Sequence, residues 1–377
     1  MYKKIYKLTS AVCCIIGLTS LNAFAESRVT IYGLVDAGIE VSNAGKGTKT
    51  RMITGGTGGS RVGFRGREDL GGGLAATFNL EMGFATDTGT LTQGGKGFGR
   101  GSNIGFQQKE LGTLLFGLVN LPYYQVQSKV DAFDWRANGG LMAISRPGAI
   151  DVQRILAVTT SARAENSVAF ISNVHHGFQF RVLGAFSEKS DKQGNTYSSS
   201  LSYNAKPIDL YAGYAKIESA KNSTGKAEAY VIGGAYDFNT FKIYSGYTVE
   251  KNSCRSCSGS LKIGRGIRIG GYSEFNLINI GIRIPNKKIT WIAQGTRVLD
   301  KSEYLSPTAS RNINWFALGM EYRLSKRTLI YSSVGTLNNK NGSSYGLGTG
   351  TTSASAGDVS ENNPRVTAAS IGIRHSF

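Results

Sequence analysis

Beyond its first two dozen residues, the 377-residue chain has no stretch approaching the ~18 continuous apolar residues that a membrane-crossing helix needs. Proline is scarce, at six residues, which excludes a proline-rich linker or a collagen-like chain. There are only three histidines and four cysteines. That leaves little for a metal centre, and neither the adjacent His175 and His176 nor His375 belongs to a constellation with an activated serine and an orienting acid. Gly71-Gly72-Gly73 and the run Gly55–Gly59 lack the following helix pattern or Lys-Ser/Thr of a phosphate cradle, so they read as a turn and a flexible loop. Acidic residues are also short, 25 against 43 Lys and Arg, for a net charge of +18. Nucleic acid is the usual partner of such a balance. Here the basic residues sit singly, without a dense arm or helix, so no nucleic-acid partner is assigned. For an exported chain, lipopolysaccharide, outer-membrane lipid and anionic solutes fit better.

The chain is instead rich in glycine (50) and in tyrosine and phenylalanine (18 and 17), with strong alternation, as an all-β barrel requires. Its N-terminus has the parts of a secretory signal peptide. Lys3, Lys4 and Lys7 precede an apolar stretch from about Ala11 to Leu18, and Ala23-Phe24-Ala25 is an A-x-A cleavage site. Residues 1–25 are therefore assigned to a cleaved leader and 26–377 to one domain, since no linker or composition break divides it. Cys13 and Cys14 lie in the leader without a leucine three residues upstream, which disfavours a lipoprotein site. Cys254-Arg255-Ser256-Cys257 lies in a long polar connection with no second cysteine pair and no nearby histidine. A loop-stapling disulfide between Cys254 and Cys257 is favoured over a redox pair or half a zinc site.

The last thirteen residues, Arg365 to Phe377, alternate strictly. Ala369, Ile371, Ile373, His375 and Phe377 share one face, and Ser370, Gly372, Arg374 and Ser376 the other, as in a wall between lipid and water. The rest of the chain divides at its turns. Short connections fall at Asp69–Gly73, Lys109–Gly112, Asn173–Gly177, Asn204–Ile208, Asp237–Thr240, Pro285–Lys288 and Leu324–Arg327. Between them lie long ones at about Ser42–Gly59, Ala85–Gly99, Pro122–Ala162, Ser187–Asn195, Glu218–Gly225, Glu250–Gly271, Asp300–Ser310 and Asn338–Pro364. Seven short and eight long connections make sixteen strands, the alternation of an up-and-down transmembrane barrel. All six prolines fall in connections, none inside a strand where it would delete a ladder hydrogen bond.

The alternation assigns Leu74, Ala76, Phe78, Leu80, Met82 and Phe84 to lipid, and Ala75, Thr77, Asn79 and Glu81 to the lumen. Phe316, Leu318, Met320, Tyr322 and Leu324 repeat the pattern against Trp315, Ala317, Gly319, Glu321 and Arg323. A soluble β-sandwich would bury the apolar face instead. The barrel is preferred because the inner faces read as polar around all sixteen segments. Strand-end aromatics (Phe178, Tyr214, Tyr236, Phe238, Tyr322) also suit an interfacial girdle.

Three segments carry a family resemblance. Val29-Thr30-Ile31-Tyr32-Gly33-Leu34-Val35-Asp36-Ala37-Gly38 resembles the first strand of the trimeric general-diffusion porins of betaproteobacteria. The run from Ser60 to Leu74 (SRVGFRGREDLGGGL) is similar to their second strand and first turn, and Gly372–Phe377 to their closing strand. The resemblance implies a sixteen-stranded antiparallel barrel, a homotrimer, short periplasmic turns, long extracellular loops and a third loop folded into the pore. The connection after Leu121, about 40 residues, is the candidate, since long structureless loops are usually functional. Asp131-Ala132-Phe133-Asp134 within it resembles the family's acidic constriction segment, and Arg61 and Arg163 match its facing arginines. A third common arginine is replaced by Leu118, for which Arg136, Arg146 and Arg154 of the loop are candidate substitutes. Phe377 is assigned as the outer-membrane assembly signal read by the barrel-assembly machinery.

A barrel of this size encloses a water channel. Lumen-parity bases (Arg61, Arg65, Arg67, Arg181, Lys242, Arg283, Arg323, Arg374) outnumber the acids (Asp36, Glu81, Asp209, Asp237, Glu321). The expected function is passive diffusion of small hydrophilic solutes across the outer membrane with an anion preference. The selectivity residues are Arg61, Arg65, Asp131, Asp134, Arg136, Arg154, Arg163 and Arg374. No cofactor, metal or catalytic residue is assigned. A substrate-specific channel or an adhesin-like barrel is the alternative, and an outer-membrane barrel enzyme ranks below both.

Overall fold

The computed structural model describes residues 28–145, 162–188, 194–218, 225–254, 262–263, 267–268, 272–301, 312–340, 345–348 and 365–377. The leader, Arg146, Arg154 and Cys257 lie outside the described residues. Among those described, sixteen antiparallel strands form the wall. They are β1 (Arg28–Asn43), β2 (Arg61–Gly71), β3 (Leu74–Gly83), β4 (Gly101–Gln108), β5 (Gly112–Asn120), β6 (Arg163–Ser172), β7 (Phe178–Ala185) and β8 (Thr196–Ala205). The second half comprises β9 (Ile208–Glu218), β10 (Gly225–Asp237), β11 (Lys242–Cys254), β12 (Tyr272–Asn286), β13 (Ile289–Asp300), β14 (Ile313–Arg323), β15 (Thr328–Asn338) and β16 (Arg365–Ser376).

Each strand pairs with the next, and β1 closes the cylinder on β16 from Leu34↔Ser376 to Asn43↔Thr367. The first half of β1, Arg28 to Leu34, pairs with Arg67 to Arg61 of β2. The wall changes partner at Gly33, whose N–H and C=O pair with those of Phe377 at 3.1 and 3.0 Å. Thus Phe377 occupies the seam. The sheet counts seventeen strands because Thr48–Thr54, an arm of the first loop, folds back along β1. All seven short turns fall within a few residues of where the sequence places them, although Pro285, read as a turn residue, lies inside β12 and pairs with Thr290. The turn between β2 and β3 holds Gly71, Gly72 and Gly73 at φ of 84°, 59° and 77°, a conformation open to glycine and strained for other residues.

Side-chain direction decides between barrel and sandwich. The apolar parity faces outward, with Ile104 and Ile280 62% exposed and Leu318 61%. On β16 the exposed residues are Arg365, Thr367, Ala369, Ile371, Ile373 and His375, continued by Phe377 beyond the strand, and their neighbours turn inward. A soluble sandwich would bury these side chains, whereas a bilayer solvates them. Near the short turns, Phe178 packs on Tyr203, and Phe238 on Tyr236 and Phe241, with centroids 4.5–4.7 Å apart, forming the aromatic girdle at one interface.

The inner wall departs from expectation in one respect: it is not polar all the way round. Ala229, Val231, Leu277, Ile292, Trp315 and Leu337 point inward and are buried. They are dry because a loop covers them.

Candidate pore constriction

The segment after β5 folds into the cylinder. It opens with a short helix, α1 (Pro122–Gln127), whose proline supplies the preset φ and lacks only an N–H that the first turn would leave unpaired. Short 3-10 turns follow at Ser128–Val130, Ala137–Gly139 and Leu141–Ala143. Tyr123, Val126 and Val130 pack against Tyr211, Ala215, Ala229 and Val231. Ala132, Phe133 and Ala137 pack on Ile292 and Ala317, while Trp135 and Leu141 join Phe275, Leu277, Trp315 and Leu337. The loop is therefore seated on the β9–β15 wall, filling that side of the lumen. The polar space left open beside it is lined by residues of β2, β3 and β5–β8, with Tyr211 of β9.

Glycines make that seat. A Cβ built on Gly281 would lie 2.6 Å from the Ala132 Cβ, one on Gly319 2.5 Å from the Phe133 ring, and one on Gly335 2.5 Å from the Asn138 carbonyl oxygen. On Gly213 and Gly246 it would come within 2.7 and 2.6 Å of Val126 and Val130. Any side chain at these positions would meet the loop below van der Waals distance. Polar pins complete the seat. Gln294 accepts from Ala132 N (2.9 Å) and donates to Gly139 O (3.0 Å), Asn279 donates to Val130 O (2.7 Å), and the Trp315 indole donates to Asn138 O (3.1 Å).

The two acids of the loop diverge. Asp131 is 2% exposed, and its carboxylate accepts from the backbone N–H groups of Phe133 (2.8 Å), Trp135 (3.1 Å) and Leu141 (2.6 Å). Burial pushes its carboxyl up to about 7, against the pull of these donors. It ties the loop together and is not turned to the pore, contrary to the role expected for it. Asp134, at φ 50°, points into the channel, 4.0 Å from Lys129 Nζ. Asp134→Asn is expected to shift ion selectivity with the loop intact. Asp131→Asn places an NH2 against backbone donors and is expected to raise current noise, with reversal potential nearly unchanged. Single-channel records of the two variants separate these outcomes.

A second inward element was read from sequence as a flexible loop. The Gly55–Gly59 run bends under Asp36, which accepts from Gly56 N (2.9 Å), Thr57 N (2.8 Å), Thr57 Oγ1 (2.8 Å) and Tyr331 OH (2.7 Å). Asp36 is fully buried, so it adds no open charge to the lumen. The Thr57 carbonyl accepts from both Arg136 and Arg374 (3.2 Å for the latter), and Ala137 N donates to Gly56 O at 2.8 Å. The glycine run joins the inward loop to β16.

Beside the loop lies a space of about 450 Å³ lined by Arg61, Arg100, Lys129, Arg136, Arg163 and Arg181 against only Glu81 and Asp134. Glu81 Oε1 lies 2.7 Å from Arg100 Nε and 3.7 Å from Arg61 NH1, and its Oε2 lies 2.9 Å from Tyr32 OH. One carboxylate thus holds two guanidinium groups in place without cancelling both. Arg163 Nε donates to Arg100 O (2.7 Å), fixing a third. Other lumen bases are paired off, Arg283 with Glu321 (2.6 Å) and Lys242 with Asp209. The structure brings together Arg61, Arg163, Arg136 and Asp134 of the expected set. Arg65 lies instead in a vestibule beside Arg28, Arg67 and Asn79 (about 510 Å³), its guanidinium 5.1 Å from the Tyr32 ring centre. Arg374 stands behind Arg136 at the Thr57 carbonyl, and Cys254 ends β11. Leu118 sits at a register shift in β5.

Sequence reasoning did not single out Arg100 or Lys129. Arg100 falls at the junction of loop and strand, where alternation gives no parity. Its one signal is the position immediately before Gly101, which opens β4 opposite Glu81.

Comparison with known proteins agrees with this architecture. The family model described as Gram-negative porin matches residues 9–342. An outer membrane porin protein of Bordetella pertussis is 27% identical, with 94% of this chain and 96% of the relative aligned. Outer membrane porin protein 32 of Delftia acidovorans is 27% identical over 94% of this chain and 95% of its own. Among solved structures, an anion-selective porin from Comamonas acidovorans superposes with a TM-score of 0.74 at 24% identity, covering 93% of this chain and all of that one.

Proposed function

The chain belongs to the Gram-negative porin family and forms an outer-membrane channel for passive diffusion, and on that premise we propose that the channel prefers anions. The observation that carries the preference is the charge imbalance around the space beside the loop, six cationic side chains against two carboxylates. Both sides of the passage carry positive charge, because Lys129 and Arg136 flank Asp134 on the loop. The field is accordingly one of net positive potential rather than the acid-facing-base arrangement expected from the sequence. An anion gains from every wall charge within a Debye length, about 8 Å at physiological salt, and a cation loses by the same amount.

Small hydrophilic anions pass because the charge is spread. A single pair at 4 Å and an effective dielectric of 20 is worth roughly 4 kcal/mol, enough to hold an ion. Several cations at graded distances lower the whole path without one deep well. Apolar solutes are disfavoured because they cannot exchange hydration for wall contacts. A channel rather than a catalyst is favoured by the histidine positions, since His175 and His176 occupy a turn and His375 lies on the outer face, 2.9 Å from Thr328 Oγ1. Assembly as a homotrimer and recognition of Phe377 by the assembly machinery belong to the same reading.

Reversal potentials of purified protein in a planar bilayer under a salt gradient test the proposal. Anion-preferring open channels are expected, and closed or cation-selective channels would overturn it. Arg61→Ala is expected to lower the anion-to-cation permeability ratio by roughly two- to fourfold, the effect of one partly screened charge.

A further inference from the structure

Charge is spread unevenly over the rim formed by the short turns. The turns from β2 to β11 are balanced: Glu68 and Asp69 follow Arg67, Glu110 follows Lys109, and Lys206 and Lys242 pair with Asp237 (3.7 Å) and Asp209. The next two, joining β12 to β13 and β14 to β15, carry Lys287, Lys288, Arg323, Lys326 and Arg327 and no carboxylate. All five are exposed, and among the described residues none makes an ion pair. The two turns are neighbours in the ring, since Arg323 N donates to Lys288 O at 2.8 Å. Asn286 pairs with Ile289, so Lys287 and Lys288 fill a two-residue hairpin that ordinarily takes Asn-Gly, and Lys287 holds φ of 54°. Local preference gives way to charge there. In the second turn Ser325 Oγ accepts from Arg327 N and Thr328 N, both at 3.1 Å, which fixes how its bases are presented.

We infer that this patch is the docking surface for an acidic run, consecutive Asp and Glu residues, of a periplasmic protein. Direction decides against lipid. Lys288, Arg323 and Arg327 keep the parity of the inward residues Ile292, Glu321 and Leu329, so they open on the aqueous mouth, whereas the bilayer-facing positions beside them are Ile284, Trp291 and Leu324. Position decides against a part in conduction. The inward loop fills the lumen on the β12–β15 side, and β2, the nearest strand lining the open space, lies three strands beyond β15. Three strand spacings are about 14 Å, well past the Debye length of about 8 Å. Charge density decides the class. The five cations crowd the three spacings from β12 to β15, and an extended chain sets a side chain every ~3.3 Å, so a run of four or five carboxylates spans the same width. Cell-wall glycan carries its carboxylates on separate peptide stems and meets fewer of the five at once. The surface takes its periplasmic side from the porin reading but does not involve the pore.

The test uses the folded protein in neutral detergent and labelled octaglutamate, with binding read by fluorescence anisotropy at low salt. Wild-type protein is expected to bind octaglutamate at least tenfold more tightly than octaglutamine. Lys287→Gln, Lys288→Gln and Lys326→Gln together are expected to weaken octaglutamate binding at least tenfold. These lysines are exposed and make no ion pair among the described residues, so the variant should fold and conduct as wild type does. A pore variant, Arg61→Gln with Arg100→Gln and Arg163→Gln, is expected to bind the peptide as wild type does. Unlabelled octaglutamate should displace the label at concentrations at least tenfold below those of soluble cell-wall muropeptides or phosphatidylglycerol. Binding unchanged in the lysine variant, or lost in the pore variant, would overturn the inference. Displacement by muropeptides or phosphatidylglycerol as effective as by octaglutamate would also overturn it, assigning the patch to cell wall or lipid. Conductance is measured in parallel: normal channels without peptide binding remove this inference alone, whereas absent channels remove the porin reading.

Discussion

Replacing Arg61, Arg100 and Arg163 together with glutamine is expected to lower the anion-to-cation permeability ratio by about tenfold or more. The three belong to one unit: Glu81 holds Arg61 and Arg100, and Arg100 O accepts from Arg163. Of the eight charged groups lining the space beside the loop, six are cations, so removing three cuts the net charge from +4 to +1. A charge about 8 Å from the ion path, in a dielectric between protein and water, contributes roughly 0.25 kcal/mol after screening. The anion loses this stabilisation three times and the cation is relieved of the same repulsion, so the ratio moves by the doubled sum. Conductance changes less than selectivity, because glutamine keeps the side-chain length. Reversal potentials under a tenfold salt gradient are the readout, and a second measurement at 1 M salt should show the difference between wild type and variant collapsing, as the Debye length falls to about 3 Å. A ratio unaffected by the triple substitution would place the selectivity elsewhere.

The same residues show what could be read without coordinates. The wall was legible because bilayer and water impose opposite demands on successive residues, so period-two polarity carries both strand position and facing, as in Ile371, Ile373 and Arg374. Arg61 was legible for the same reason. Asp131 was not: its burial follows from a local turn, with Asp134, Trp135 and Ala137 all at positive φ, which points its carboxylate back at its own backbone. The fate of the Gly55–Gly59 run depends on Tyr331, hundreds of residues away, and alternation contains no such information. Inward-facing Val231 and Leu337 contradict the polar-lumen rule because they answer to the loop and not to water. Sequence patterning thus reports the solvent a strand face meets, and it misleads where another part of the chain replaces that solvent.

That replacement yields the second large effect. Gly281→Ala combined with Gly335→Ala is expected to lower single-channel conductance by roughly half while leaving the barrel assembled. The added methyls would lie 2.6 Å from Ala132 Cβ and 2.5 Å from Asn138 O. Neither contact is the free end of a flexible side chain, so relief requires the loop to move by about 1 Å, since a packed interior has no spare volume to absorb the change. The wall behind each glycine is held by its ladder to both neighbouring strands, β11 and β13 for Gly281 and β14 and β16 for Gly335. The loop, held mainly by side-chain contacts and single pins such as Gln294, is the softer partner. It shifts away from β12 and β15, toward Arg61 and Arg100, and the passage narrows on the side where solutes travel. Selectivity should rise slightly as the cations approach the ion path. Larger substitutions, such as valine at both sites, should exceed what the pins can hold and release the loop, giving wide, noisy channels instead. Conductance unchanged in the alanine pair, with folded trimers recovered, would show that the loop does not rest on these glycines.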